Sequence, residues 1–266
     1  MRFEDFEYDG KQLSDLGYMV CEFGTNSINT VKGANINLNT VSNSYGTKNY
    51  LVNSKYSNVL EDTFQICKNT CNSRDMEITV DEQRELVRWL NRKSYHRFRY
   101  LAYDYLDFYF EATFNISYIE IGGKIYGLEL EMTTNKPFAL NKEKDYELEI
   151  TEANQTVVLI DESDDEGCIY PHMRITIGNT GGDLKISNEV GDRIETTIVK
   201  NCTENEVITI DYPIIYSSVL SHKVQNDFNW KFFGISNTNN DRTNKITVSL
   251  PCKIEIGYSP AVKLGL

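Results

Sequence analysis

The chain has 266 residues, 40% hydrophobic and 12% aromatic, with 17 Tyr and 12 Phe against five Pro, which excludes a disordered or Pro-rich chain and leaves room for one large or two modest domains. Its net charge of −12 is spread evenly: residues 1–135 carry 14 basic and 19 acidic groups, residues 136–266 carry 13 and 20. Neither half has the basic face that a phosphate backbone or an anionic membrane requires, and no apolar run nears the ~18 residues of a membrane span, so nucleic acid and membrane are excluded as partners.

In chain order, two apolar-aromatic runs at 3–8 and 17–23 flank the turn Asp9-Gly10-Lys11 and the step Ser14-Asp15-Leu16-Gly17, and read as a hairpin. The acidic start, Met1-Arg2-Phe3-Glu4-Asp5, lacks the apolar stretch of a secretory signal. The six cysteines at 21, 67, 71, 168, 202 and 252 are therefore expected as reduced thiols made in a cytoplasm. Residues 35–41 (NINLNTV) alternate strictly and predict a half-buried strand; the polar stretch 42–58 predicts a long loop or an exposed hairpin arm. Strands are expected at 59–66 and 76–79. A helix follows at 80–94: Thr79 and Glu82 have capping-box spacing, and Leu86, Val87 and Leu90 form its apolar stripe with Trp89 at the edge.

Aromatic-rich strands are expected at 98–103 and 107–115, then 118–132 broken by a Gly122-Gly123 turn, with a domain boundary in the turn-forming stretch 133–138. Short strands at 146–151, 157–160, 173–177, 182–187, 194–199 and 207–210, joined by turn clusters, predict a β-sandwich; 246–250 and 253–256 add two more. The fold class is mainly β.

Few groups are arranged for chemistry. His96, His172 and His222 lie in separate segments without metal-ligand spacing, and no nucleophile elbow, Walker loop or dinucleotide fingerprint occurs. Gly122-Gly123-Lys124 reads as a hairpin turn. Cys67 and Cys71 lack the second ligand pair of a zinc site. The acidic run at 161–166 has oxygen ligands for calcium, but Glu166 stands where the EF-hand loop needs Gly and His172 where it needs Glu; a solvated hairpin loop is favoured. The aromatic band at 98–114 fits a core or interface better than a glycan platform. Asn115, Asn154 and Asn201 head sequons that carry no weight without secretion. No catalytic, cofactor-binding or metal residues are assigned, and no enzyme activity is expected; a cell-wall hydrolase would have only the 161–166 acids to draw on.

Several segments stand in a telling order: FEYDGKQLSDLGYMVCEF at 6–23, TVDEQRELVRWLNRKSYHRFRY at 79–100, FNISYIEIGGKIYGLELEMTTNKPFA at 114–139, YPHMRITIGNTGGDLKISN at 170–188, IDYPIIYS at 210–217 and NKITVSLPCKIEIGYSPAVKLG at 244–265. In that order the whole chain resembles the distal tail proteins of siphophages infecting Gram-positive hosts. The resemblance implies an N-terminal β-sandwich at 1–135 with one helix and a β-hairpin arm, taken as 42–58, that forms a homohexameric ring. It implies a C-terminal galectin-like β-sandwich at 136–250, with 251–266 returning to the first domain. It further implies a structural hub at the virion tail tip, assembled in the host cytoplasm, that joins the tail tube protein to the tail-tip protein and docks receptor-binding proteins. The chain has no room for an inserted carbohydrate-binding module; recognition of host cell-wall glycans by the sandwich itself is the alternative.

Overall fold

The structure is a computed structural model describing residues 3–23, 35–42, 46, 48–57, 59–71, 75–238 and 241–264. It divides into two compact units, Met1–Asn141 with Val262–Leu266, and Lys142–Ala261.

The first unit contains β1 (Phe6–Tyr8), β2 (Lys11–Gln12), β3 (Tyr18–Cys21), β4 (Ile36–Ser42), β5 (Asn49–Tyr56), β6 (Glu61–Lys68), α1 (Val80–Leu90), β7 (His96–Tyr100), β8 (Phe108–Ile121), β9 (Lys124–Thr134) and β10 (Ala139–Asn141). One antiparallel sheet runs β2-β1-β7-β8-β9-β6-β3, with β10 on β8. The two opening runs do not pair as the expected hairpin. Asp9 and Gly10, both at positive φ, fold β2 back on β1, and a 3-10 turn ending at Gly17 (φ 82°) sends β3 to the far end of the sheet. The ends then meet, because the Val20 amide donates to the Glu4 carbonyl at 3.2 Å. Phe6 on β1 and Phe64 on β6, four steps apart along the sheet, have ring centroids 5.5 Å apart. The sheet therefore curls into a sandwich around an aromatic core, where edge-to-face ring pairs add to area burial.

The helix closes that core. Thr79 accepts from the Glu82 amide while the Glu82 carboxylate accepts from the Thr79 amide, so the capping box forms as expected. The helix ends at Leu90 rather than 94, because Asn91 leaves helical geometry and its side-chain amide donates to the Phe114 carbonyl at 2.8 Å. Trp89 is not at the edge of the apolar stripe but in the core: its indole N–H donates to the Tyr8 carbonyl at 2.9 Å and its ring stacks on Phe6. Residues 76–79 are not a strand; they lead into the helix, tied by the Ile78 amide to the Ile125 carbonyl. Phe98, Tyr100, Phe110 and Phe114 of the aromatic band are buried core residues, and only Tyr103 stands almost fully exposed.

The second unit contains β11 (Lys144–Ile150), β12 (Gln155–Ile160), β13 (Gly167–Ile169), β14 (His172–Ile177), β15 (Gly182–Val190), β16 (Arg193–Cys202), β17 (Val207–Asp211), β18 (Ile214–Ser217), α2 (Val224–Asp227), β19 (Ile235–Asn237), β20 (Thr243–Val248) and β21 (Cys252–Tyr258). Two antiparallel sheets, β11-β21-β14-β17-β18 and β12-β20-β15-β16, face each other across an aliphatic core. Alternation decides which side chains enter it: Cys252, Ile254, Ile256 and Tyr258 of β21 are buried, while Lys253 and Glu255 point away. The division differs from the expected 136–250. Strand β21 is flanked by β11 and β14 and belongs to the middle of this unit. Of the expected returning segment 251–266, Val262 and Leu264 pack against the first unit's core, and 265–266 lie outside the described residues.

Core burial sets a testable contrast. Replacing buried Phe98 by Ala is expected to cost about 3–5 kcal/mol in urea unfolding, and Tyr103→Ala less than about 0.5 kcal/mol. Equal losses would contradict the aromatic core.

Candidate interaction surfaces

The residues weighed for chemistry do not converge. His96, on β7, contacts Asp9 and Ser94. His172, on β14, is half-exposed and 4.0 Å from Asp211. Cys67 is the half-buried penultimate residue of β6 and Cys71 is exposed in the following turn; all six cysteines are free thiols. Gly122 and Gly123 form the β8–β9 turn, both at positive φ. In the 161–166 loop, Asp161 and Ser163 are buried and hydrogen-bonded to each other, not splayed toward a shared ion. Among the described residues, no group of three His, Cys, Asp or Glu side chains is placed to hold a metal, and no helix is long and apolar enough to cross a membrane.

His222 is the exception in burial. It lies between two carboxylates, with Nδ1 2.5 Å from fully buried Glu206 and Nε2 3.3 Å from Asp227. Glu206 also accepts from the Ser217 hydroxyl and from the backbone and hydroxyl of Thr203. This cluster ties the turn before β17 to the end of β18 and to α2. Burial pushes the Glu206 carboxyl up, but the hydrogen bonds from Ser217, Thr203 and His222 outweigh it and hold the group below the ordinary carboxylate value of 4.5. A carboxyl depressed on folding adds stability that is complete above its unfolded value and is lost as pH falls through the folded one. Between about pH 5 and pH 3 the protein is thus expected to lose thermal stability. Glu206→Gln, which sets an amide NH2 against two of the four donors, is expected to cost about 2–4 kcal/mol at neutral pH and to flatten that acid dependence. An unchanged acid slope in the variant would refute the assignment.

The feature that demands a partner is the β4–β5 hairpin. Among the described residues these strands pair only with each other, and every residue in them but Tyr56 is exposed. Ile36, Leu38, Val41, Tyr50, Leu51 and Val52 are each 55–63% exposed. The sequence expectation of a half-buried strand at 35–41 is corrected: the alternation is real, but among the described residues no layer lies behind it. The expected arm is longer than 42–58 and begins at Ile36; residues 43–45, 47 and 58 lie outside the described residues. Directly paired residues share a face. Ile36–Tyr56, Leu38–Ser54 and Thr40–Leu51 therefore share one face, and Asn39–Asn53 and Val41–Tyr50 the other, with Val52 bulged out of the ladder between them. A lone hairpin is marginally stable in water and offers two open edges. Tyr56 anchors its base by an edge contact with Phe138, ring centroids 5.7 Å apart.

A second exposed surface, unmarked by any local sequence pattern, lies in the second unit. Tyr170, Tyr212 and Trp230 are 47%, 54% and 59% exposed and gather around Phe232.

Residues 1–136 match the family described as phage tail protein N-terminal domain, and residues 138–258 the family described as phage tail C-terminal domain. No curated protein matches the chain. Among solved structures, the chain is similar to the SPP1 Dit protein, described as a paradigm of the hub adsorption apparatus in phages infecting Gram-positive hosts: 12% identity, TM-score 0.61, covering 97% of this chain and 99% of that one. It is also similar to a chain of the phage P2 baseplate in its activated conformation with Ca, at 8% identity and TM-score 0.51, covering 97% and 98%. At such identities these likenesses carry the fold.

Proposed function

This chain belongs to the phage tail protein family whose N- and C-terminal domains it carries, and we propose that it is a distal tail hub whose first unit assembles into a homohexameric ring. The ring joins the tail tube protein to the tail-tip protein, and the second unit, as a galectin-like sandwich, docks receptor-binding proteins at the virion tail tip. Assembly takes place in the host cytoplasm, and the role is structural rather than catalytic. The observation that carries this reading is the β4–β5 hairpin, an arm whose apolar side chains are exposed and which pairs with no other strand among the described residues. A neighbouring copy supplies the missing layer, burying Ile36, Leu38 and Leu51 and pairing an open edge. The acidic surface and the absence of a basic face agree with a partner set made of protein.

Native mass spectrometry of the full chain, alone and with the tail-tip protein, is expected to give a six-chain species. The double substitution Leu38→Asp with Leu51→Asp is expected to weaken self-association at least about tenfold, roughly 1.4 kcal/mol, while thermal unfolding of the chain stays unchanged. A strict monomer in both samples at high concentration would overturn the ring.

A further inference from the structure

We infer that Tyr170, Tyr212, Trp230 and Phe232 form a preorganised platform in the second unit that binds the flat face of a neutral pyranose oligosaccharide. The four residues come from three places: the end of β13, the β17–β18 turn and the loop after α2. Tyr170 and Tyr212 stack at a centroid distance of 4.4 Å with planes 9° apart, and Phe232 meets Tyr212 edge-on at 5.1 Å. Trp230 stands beside them over buried Phe228, 5.6 Å away.

Trp230 is held in position by force. Its backbone has φ 58°, a left-handed conformation that is a genuine outlier for a bulky side chain. The cause is its neighbour. The Asn229 side chain accepts from the Ile198 amide at 3.1 Å and the Lys231 amide at 3.2 Å, and donates to the Thr196 carbonyl at 2.9 Å, clasping the loop to β16. With Asn229 fixed, the chain turns back through Trp230 and presents its indole to solvent. Gly234 completes the mount: a Cβ there would lie 2.1 Å from the Cys168 sulfur, so only glycine lets β13, and Tyr170 after it, sit so close.

The chemistry selects the occupant. A pyranose presents C–H groups on one face and hydroxyls around its rim. The half-exposed aromatic side chains take the first; the indole N–H and the two phenol groups they carry supply donors and acceptors for the second. The Cys168 thiol, with burial, Tyr212 and Glu195, pushes the Tyr170 phenol up, so it remains a neutral donor. Polyanionic glycans are disfavoured by the −12 charge and by Glu195 beside the rings. A protein partner needs about 800 Å² per side, whereas half-exposed rings of 150–250 Å² each offer together on the order of 400 Å², the scale of a short oligosaccharide.

The inference is independent of the ring. Saturation-transfer NMR and calorimetry on the full chain would use maltotriose, cellotriose and chitotriose, with heparin as the anionic control. At least one neutral trimer is expected to bind with a Kd of about 0.1–5 mM, and heparin is not. Tyr212→Ala is expected to weaken binding at least about tenfold. Trp230→Gly is the sharper variant: glycine accepts the left-handed backbone, so thermal stability is expected to hold or rise while binding is lost. Failure of all three trimers at about 20 mM, binding that survives Trp230→Gly, or a platform that captures only a tail protein would overturn it. A hexamer that binds no sugar would sink this inference alone, and a monomer that binds one would sink only the ring.

Discussion

The first unit depends on the bond from the Trp89 indole to the Tyr8 carbonyl. It fastens α1, the only long helix among the described residues, to β1, and places the indole flat on Phe6. Phe6 in turn reaches Phe64, Phe98 and Phe114, which come from three other strands. A curled antiparallel sheet needs something to fill its concavity, and rings of this size fill it with few residues. The hairpin β4–β5 lies outside that core, with its own apolar side chains exposed.

The second unit solves the same packing problem differently. Its core is mainly aliphatic, with Phe228, Phe233 and Tyr258 among it, its two sheets lie face to face, and a group of exposed aromatics gathers around Phe232. The buried polar cluster at Glu206 joins irregular segments that hydrophobic packing alone would leave loose. Every lone pair of that carboxylate that is removed from water meets a donor, the condition under which a buried charge is tolerated.

What was legible in the sequence was what depends on near neighbours. The capping box at Thr79 and Glu82 spans three residues, and the period-two strands of the second unit declare which side chains face inward. What was not legible depended on distant ones. Trp89 reads as an edge residue because its partner, Tyr8, is 81 positions away. Residues 35–41 read as half-buried because alternation reports that a strand has two faces, and not whether anything covers either. The helix end was misplaced by four residues because Asn91 is held by Phe114, across the sheet. The exposed aromatics of the second unit left no trace in periodicity: Tyr170 and Phe232 lie 62 positions apart, and only the fold brings them together. The nearest usable signal was Asn229 before Trp230, a residue type that readily fixes turns.

The bulge at Val52 has a consequence for assembly order. Ile36 and Leu38 face one side of the hairpin and Val41 the other by simple alternation along β4, and the skipped residue brings Leu51 to the first side and Tyr50 to the second. An arm greasy on both sides is not satisfied by lying flat on one surface; it must be sandwiched. In the ring proposed for the first unit, the last arm of a growing arc would keep one side wet, and closure would remove that penalty, so partial arcs would be disfavoured against the finished circle.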